Sequence, residues 1–345
     1  MRIASFIAVA ALTALVSACV AAGDTGDDAA GGKADSPDSS DNPLDPAGDP
    51  ARFPIVLVHG FNASPQRNGF GLEVVSALCA DGHAVFDPAL PPFASVETRS
   101  TALADAVDRA LSGAADDCGV TPAEPPAKVN LIAHSMGGLD ARFLVASLGY
   151  GDRVATVTTI STPHRGSAMA DMSLGLLGSV DADALRDLAA WLSRPLDSDP
   201  GDLDPDMRAA FTALAEKTAP DFNAANPDDG RVVYESWAGL SNVAGIPNVQ
   251  DEPACEFKMS LFPDSLERHR MNIILKAIAF VVAHELALRP NDGLVQVASA
   301  KWGTFRGCIP SDHIDEVGAS PASIHPFDHV RFYRNRAFEL ATRGF

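Results

Sequence analysis

Short runs of continuous apolar residues alternate along the chain with longer stretches in which apolar positions recur every three or four residues. Phe53-Pro-Ile-Val-Leu-Val58 is the first run, bounded by Pro54 and Gly60, and it suits a strand buried on both faces of a sheet. Leu72 to Ala80 carries apolar residues at helical spacing, His83 to Phe86 reads as a second short strand, and Leu103, Val107, Ala110, Leu111 and Ala114 mark a longer helix. Val129 to Ala133 reads as a strand that runs directly into a helix from Met136 to Ala146, and Val154 to Ile160 is a β-branched strand. Strict alternation of strand and helix predicts an α/β fold with a doubly wound, mostly parallel sheet.

From Arg165 to Asp229 the pattern becomes purely helical, with helices expected over Met169 to Leu177, Ala182 to Leu192 and Pro205 to Lys217. An inserted helical cap at about 165–229 is implied. The sheet resumes at Arg231 to Trp237, a strongly apolar helix is expected over Met271 to Leu288, and a last amphipathic helix over Phe327 to Thr342. Asn272, Lys276, His284 and Glu285 interrupt the apolar helix, so it reads as a core helix and not a membrane span. No internal repeat, P-loop or Gly-rich dinucleotide turn is present, which removes the usual support for phosphate or nicotinamide chemistry.

The N-terminus departs from this pattern. Residues 1–18 read as an export signal: Arg2, then an apolar run too short to span a membrane comfortably. Val16-Ser-Ala-Cys19 resembles a bacterial lipobox, in which small residues precede a cysteine that is diacylated; an ordinary cleavable signal with an incidental Cys19 is the alternative. Residues 19–50 are rich in Asp, Gly, Ser and Pro without apolar period and read as a disordered, solvated tether, leaving 51–345 as the folded domain. The 345 residues carry a formal net charge of -19, which argues against a protein that neutralises nucleic-acid phosphates. Beyond Cys19 there remain Cys79, Cys118, Cys255 and Cys308, an even number in an exported chain. Three pairings are possible, and Cys79 with Cys118 and Cys255 with Cys308 are favoured because each closes a local stretch; buried free thiols are the alternative.

The stretch Val129-Asn-Leu-Ile-Ala-His-Ser-Met-Gly-Gly138 carries the chemistry. A buried strand turns into a helix through small residues around Ser135, as a nucleophile elbow requires, although a serine at such a junction also serves as a helix N-cap. Upstream, Val58-His59-Gly60-Phe61 ends the first strand, where the backbone N–H of Phe61 and that of Met136 would form an oxyanion hole. His59 taken alone fits a plain strand-end turn. In this fold the acid and base follow the serine in the chain. Asp292, in the turn Pro290-Asn-Asp-Gly-Leu-Val295, is the best acid, and His313 in Ser311-Asp-His-Ile-Asp-Glu-Val317 is the best base, with His325 and His329 as competitors.

His59-Gly60-Phe61, Ala133-His-Ser-Met-Gly-Gly138, Ser161-Thr-Pro-His-Arg-Gly-Ser167, Tyr234-Glu-Ser-Trp-Ala-Gly239, Asn291-Asp-Gly-Leu-Val295 and His313-Ile-Asp-Glu-Val317 together resemble the bacterial true lipases of the Pseudomonas and Burkholderia type, over roughly residues 53–330. The resemblance implies an α/β-hydrolase fold and a triacylglycerol lipase with Ser135, Asp292 and His313 as triad. It also implies a structural calcium ion near the His313 loop, with Asp315 as a ligand and Asp264 as a second aspartate. Ala133 opens the elbow in the manner of Bacillus lipases, and Ala319 stands where the family usually offers a glutamine near the metal.

The chemistry implied is hydrolysis of a lipid ester at an oil-water or membrane interface through an acyl-enzyme, under a cap whose Met169, Met172, Leu174, Leu176, Leu177, Leu188, Trp191 and Leu192 could roof an acyl pocket. A short-chain esterase, a polyester depolymerase and an acyltransferase would use the same triad, and a lipid-anchored binding protein would keep the fold without the chemistry. Val20 after the cysteine points, by resemblance to bacterial lipoproteins, to the outer membrane; simple secretion is the alternative. Two acyl chains anchor stably where one does not. Cys19→Ser should therefore move the protein from the membrane fraction to the soluble or unprocessed pool, and mass spectrometry of the wild-type mature N-terminus should find a diacylated cysteine. An unmodified start at another residue would mean secretion.

Overall fold

The computed structural model describes residues 47–65, 69–179, 205–241, 255, 271–284, 288–319 and 327–345. The signal, nearly all of the tether and the expected helix from Ala182 to Leu192 lie outside them, with the cap residues Leu188, Trp191 and Leu192 and the side chains of Leu176 and Leu177. Six strands form one sheet: β1 (Ile55–Val58), β2 (Val85–Phe86), β3 (Val129–His134), β4 (Val154–Ile160), β5 (Val233–Gly239) and β6 (Thr304–Ile309). Their spatial order is β2-β1-β3-β4-β5-β6 and every pairing is parallel.

Parallel strands need helical crossovers, and those helices cover both faces. Side chains alternate along a strand, so Val56 and Val58 of β1 face one way and Ile55 and Leu57 the other. The first pair joins Leu131, Val157 and the inner faces of α2 (Val96–Leu111) and α3 (Gly137–Ala146), through Leu103, Val107 and Leu144. The second pair joins Ile132, Ile160 and Trp237 with Val74 and Leu78 of α1 (Gly71–Ala80) and Phe332 and Tyr333 of α9 (His329–Thr342). Helix α2 is capped by Ser95 Oγ, which accepts the Thr98 N–H at 3.3 Å, and α9 by Asp328, which accepts the Arg331 N–H at 3.0 Å.

The order of strands reverses between β1 and β3, and ligands of open α/β sheets sit at that point beyond the strand C-termini. Val58 pairs with Ala133, so the His59 loop and the Ser135 turn leave the sheet side by side. The cap follows β4 as α4 (Ala168–Ser179), α5 (Pro205–Leu214) and α6 (Ala219–Ala225). Met169, Ala210, Phe211 and Leu214 of the cap pack on Met136, Leu139 and Val282 of the body. The root of the cap is pinned to a distant segment: Arg165 N–H donates to Ser299 Oγ at 3.1 Å, Ser299 Oγ donates to the Gly166 carbonyl at 2.6 Å, and Ser167 Oγ donates to the Leu294 carbonyl at 2.6 Å.

Three elements differ from the sequence-based expectation. The apolar helix expected over Met271 to Leu288 is α7 (Ile273–Val282), because His284 adopts a left-handed conformation (φ 53°) and ends it. The helix expected to reach Lys217 stops at Leu214, where Asp171 Oδ2 accepts the Glu216 N–H at 2.7 Å and turns the chain toward α6. Strand β6 carries no continuous apolar run, since it lies at the sheet edge with Thr304 exposed and only Gly307 to Ile309 buried. A short helix α8 (Val297–Ala300) precedes it. Disulfides join Cys79 to Cys118 and Cys255 to Cys308, with Cα atoms 5.5 and 4.6 Å apart, in the pairing favoured from the sequence.

Candidate active site

Ser135 occupies the single turn between β3 and α3 with φ 55°, a left-handed conformation that L side chains rarely adopt. Its N–H donates to the Ile160 carbonyl at 2.9 Å, and its carbonyl accepts the Thr162 hydroxyl at 2.7 Å. Small residues are obligatory around it. A Cβ on Gly137 would collide with the Val58 and His59 carbonyls, and one on Gly138 with the Thr162 side chain. A Cβ on Gly60 would lie 2.8 Å from Ser135 Cβ and 3.3 Å from its Oγ, so the loop after β1 lies directly against the serine.

His313 follows β6 and reaches back across the sheet end. Its Nε2 lies 2.9 Å from Ser135 Oγ and its Nδ1 2.8 Å from Asp292 Oδ2, while its own N–H donates to the Asp292 carbonyl at 3.0 Å. The second oxygen of Asp292 accepts the N–H groups of Leu294 and Val295 at 2.9 and 2.7 Å, which restrains the carboxylate while its other oxygen meets the imidazole. Asp292 is fully buried and His313 is 6% exposed, so the pair is screened little by solvent while Ser135 remains reachable. The geometry can do acyl transfer: a hydroxyl, a base on it and a carboxylate that holds the base in one tautomer. Among the described residues nothing accepts the N–H of Phe61 or of Met136. The Phe61 ring lies between Phe93 and Phe211, at centroid distances of 5.3 and 5.2 Å.

Of the competing bases, His329 heads α9 and its ring lies over Gly318, and His325 lies outside the described residues. Asp264 lies outside them as well, and Asp315 opens a 3-10 turn (Asp315–Val317) with its side chain buried.

Sequence reasoning missed a second layer of polar side chains beneath the triad. Glu316 is fully buried; its Oε1 accepts the Ser161 hydroxyl at 2.7 Å and its Oε2 lies 3.1 Å from His134 Nε2. Burial first, and then the neighbouring Asp292 charge, push its carboxyl well above the usual range. Ser161 also accepts the Gly239 N–H at 2.9 Å, and the His134 and His313 rings lie 4.6 Å apart. Glu316 and Ser161 both lie inside stretches noted for their pattern, but nothing local marks residues 155 positions apart as partners.

A family model described as a PGAP1-like alpha/beta domain matches residues 95–179, from α2 to α4. A triacylglycerol lipase of Vibrio cholerae is 30% identical over 315 residues, covering 85% of this chain and 89% of that protein. The chain belongs to the triacylglycerol lipase family. A triacylglycerol lipase of Burkholderia plantarii is 32% identical to this family member over 77% of its chain and 79% of the relative. In fold it is similar to the Staphylococcus hyicus lipase structure, with a TM-score of 0.56 at 17% identity, over 88% of this chain and 98% of that one.

Three buried histidines link this region to acid stability. Burial and then the Arg99 cation lower His59 from 6.5 to about 4, and burial first of all carries His134 and His164 well below their usual value. A folded-state pKa below the unfolded one means that the unfolded chain takes up protons first, so stability present above pH 6.5 is lost as pH falls toward the folded value. Between pH 7 and pH 5 His59 alone should cost about 2 kcal/mol. Urea unfolding at the two pH values should show this loss, and His59→Asn should reduce it. An equal loss in the variant would remove His59 as the cause.

Proposed function

We propose that the chain is a serine carboxylic ester hydrolase that releases fatty acids from lipid esters, a triacylglycerol lipase working through an acyl-enzyme. The observation that carries this reading is the line from Asp292 Oδ2 to His313 Nδ1 and from His313 Nε2 to Ser135 Oγ, at 2.8 and 2.9 Å, on a serine with positive φ. Ser135 Oγ attacks the ester carbonyl carbon as its proton passes to His313 Nε2. The negative charge that develops on the carbonyl oxygen lies on the Phe61 and Met136 N–H groups. Collapse of the tetrahedral intermediate breaks the bond to the alcohol oxygen, which leaves with the proton from His313. Water then loses a proton to His313 and attacks the acyl-enzyme, and the departing Ser135 Oγ recovers that proton as the fatty acid is released. Asp292 holds the imidazole tautomer throughout.

A lipid substrate is supported by the apolar cap face of Met169, Phe211 and Leu214 that packs over Met136. The protein is read as exported and lipid-anchored at Cys19; among the described residues no helix is long and apolar enough to cross a membrane. Ser135→Ala should lower ester hydrolysis by about 10⁶-fold without unfolding the protein, His313→Ala by a similar factor and Asp292→Asn by about 10⁴-fold. Retained turnover in a folded Ser135→Ala protein would move the nucleophile elsewhere. Assays from acetate esters to long-chain triglyceride emulsions then separate lipase from esterase.

We further propose a structural calcium ion at the His313 loop. Asp315, a buried carboxylate two residues after His313, supports this reading, and Asp264 lies outside the described residues; the loop itself is held by Asp312, whose Oδ1 accepts the N–H groups of Ile314 and Asp315 at 3.0 Å and whose Oδ2 accepts that of Asn272 at 2.6 Å. Calcium takes carboxylate and carbonyl oxygens, and Asp315 with Asp264 would hold it there, fastening the loop that carries His313. Chelation should lower both the unfolding temperature and activity, and added calcium should restore them. No change in either, with no calcium by elemental analysis, would remove the site.

A further inference from the structure

His59 is fully buried and both ring nitrogens are engaged by backbone. Its Nδ1 lies 3.0 Å from the Gly60 carbonyl, and its Nε2 accepts the Leu90 N–H at 3.0 Å. A carbonyl only accepts and an N–H only donates, so one neutral tautomer, protonated at Nδ1, satisfies both contacts at once. The Gly60 carbonyl belongs to the same peptide as the Phe61 N–H. No peptide bond of the described residues is cis, and in a planar trans peptide the C=O and N–H point in opposite directions. Holding the carbonyl on the imidazole therefore turns the Phe61 N–H away from the ring. The contacts of the Phe61 ring with Phe93 and Phe211 place the side chain and leave the rotation of this peptide to the backbone bonds.

The flanking peptides are fixed as well. Arg99 Nη2 donates to the His59 carbonyl at 2.6 Å and Nη1 to the Pro91 carbonyl at 3.0 Å, while the Asn62 N–H donates to the Pro92 carbonyl at 2.8 Å. Arg99 Nε donates to Asp140 Oδ2 at 2.8 Å, and both side chains are 0% exposed. Asp140 belongs to α3, the helix that starts next to Ser135, and Ser100 Oγ donates to the Asp140 carbonyl at 3.0 Å. A buried ion pair is costly to desolvate, and well-packed apolar residues of the same volume are often as stable. What an apolar pair could not do is donate to the two loop carbonyls.

We propose that His59 and Arg99 are positioning residues for the oxyanion donor: His59 sets the rotation of the Gly60–Phe61 peptide, and Arg99 gauges the preceding peptide against the helix that carries Ser135. This rests on the reading of Ser135 as nucleophile and Phe61 N–H as donor. Neither side chain touches the reacting atoms; each acts through the backbone.

The test uses the full chain with His59→Phe, His59→Asn and the paired change Arg99→Met with Asp140→Leu. On a soluble short-chain ester, His59→Phe should lower kcat by about 10²-fold and leave KM within about twofold, the effect of a misaligned oxyanion donor. An alkylboronic acid, which becomes a tetrahedral anion on the serine, should lose affinity in step, measured against a neutral alkyl ether in the same sample so that the ratio does not depend on the folded fraction. His59→Asn, whose amide offers both a donor and an acceptor, should recover part of the loss. The Arg99 and Asp140 pair should keep its unfolding temperature and still lose kcat. Unchanged kcat in His59→Phe, or a fall in kcat with an unchanged boronate-to-ether ratio, would overturn the role of His59. If His59→Phe does not fold, His59→Asn and the paired variant decide: wild-type kcat in the paired variant overturns the role of Arg99, and wild-type boronate affinity in both overturns the proposal. A wild-type protein whose Ser135 is not labelled by a serine-directed phosphonate would instead overturn the underlying reading, an outcome separate from labelled Ser135 with unaffected His59 and Arg99 variants.

Discussion

Everything at the sheet end depends on a close approach of backbone to backbone: helix α3 starts so near β1 that Gly137 has no room for a Cβ against the Val58 carbonyl. With side chains excluded there, the chain can pass from strand to helix in a single turn, and that turn forces Ser135 into the left-handed region. The bonds from Ser135 N–H to Ile160 and from Thr162 to the Ser135 carbonyl hold the strained residue in place from β4. Its Oγ is thus set by the sheet and not by its own rotamer alone.

The second organising theme is that burial drives several titratable groups around the site toward their uncharged forms. His59, His134 and His164 are driven toward the neutral form and Glu316 toward the protonated one, chiefly by burial. Uncharged partners can be hydrogen-bonded internally at lower desolvation cost, so the site carries a dense hydrogen-bond network next to Asp292. Arg99 with Asp140 is a costly exception, as is the buried Arg142, and the Arg99 pair lies where loop carbonyls need donors.

Much of this was legible in the sequence because the informative signals are local. The elbow is contiguous, and the Asn-Asp-Gly turn and the loop after β6 each present a chemically suitable residue, so Ser135, Asp292 and His313 could be picked out and the fold brings them within hydrogen-bond reach. The central strands were legible because both faces are buried, which leaves no polar alternation to misread. Strand β6 was not, since half of an edge strand meets solvent and its composition resembles a loop. Glu316, Ser161 and His134 stayed hidden for a different reason: their pairing spans up to 182 residues and exists only once β3, β4 and the loop after β6 meet. The end of α7 was hidden because His284 gives no compositional sign of a left-handed stop.

The pinning of residues 165–167 to Leu294 and Ser299 has a consequence for any recombination of caps between relatives. The partner Leu294 is also a donor to Asp292 Oδ1, through its N–H at 2.9 Å. A graft that replaced the chain from Arg165 onward would therefore disturb the carboxylate that orients His313, even though no catalytic residue had been exchanged. The natural module boundary lies after Ser167, and a cap joined there leaves the acid loop in its native frame.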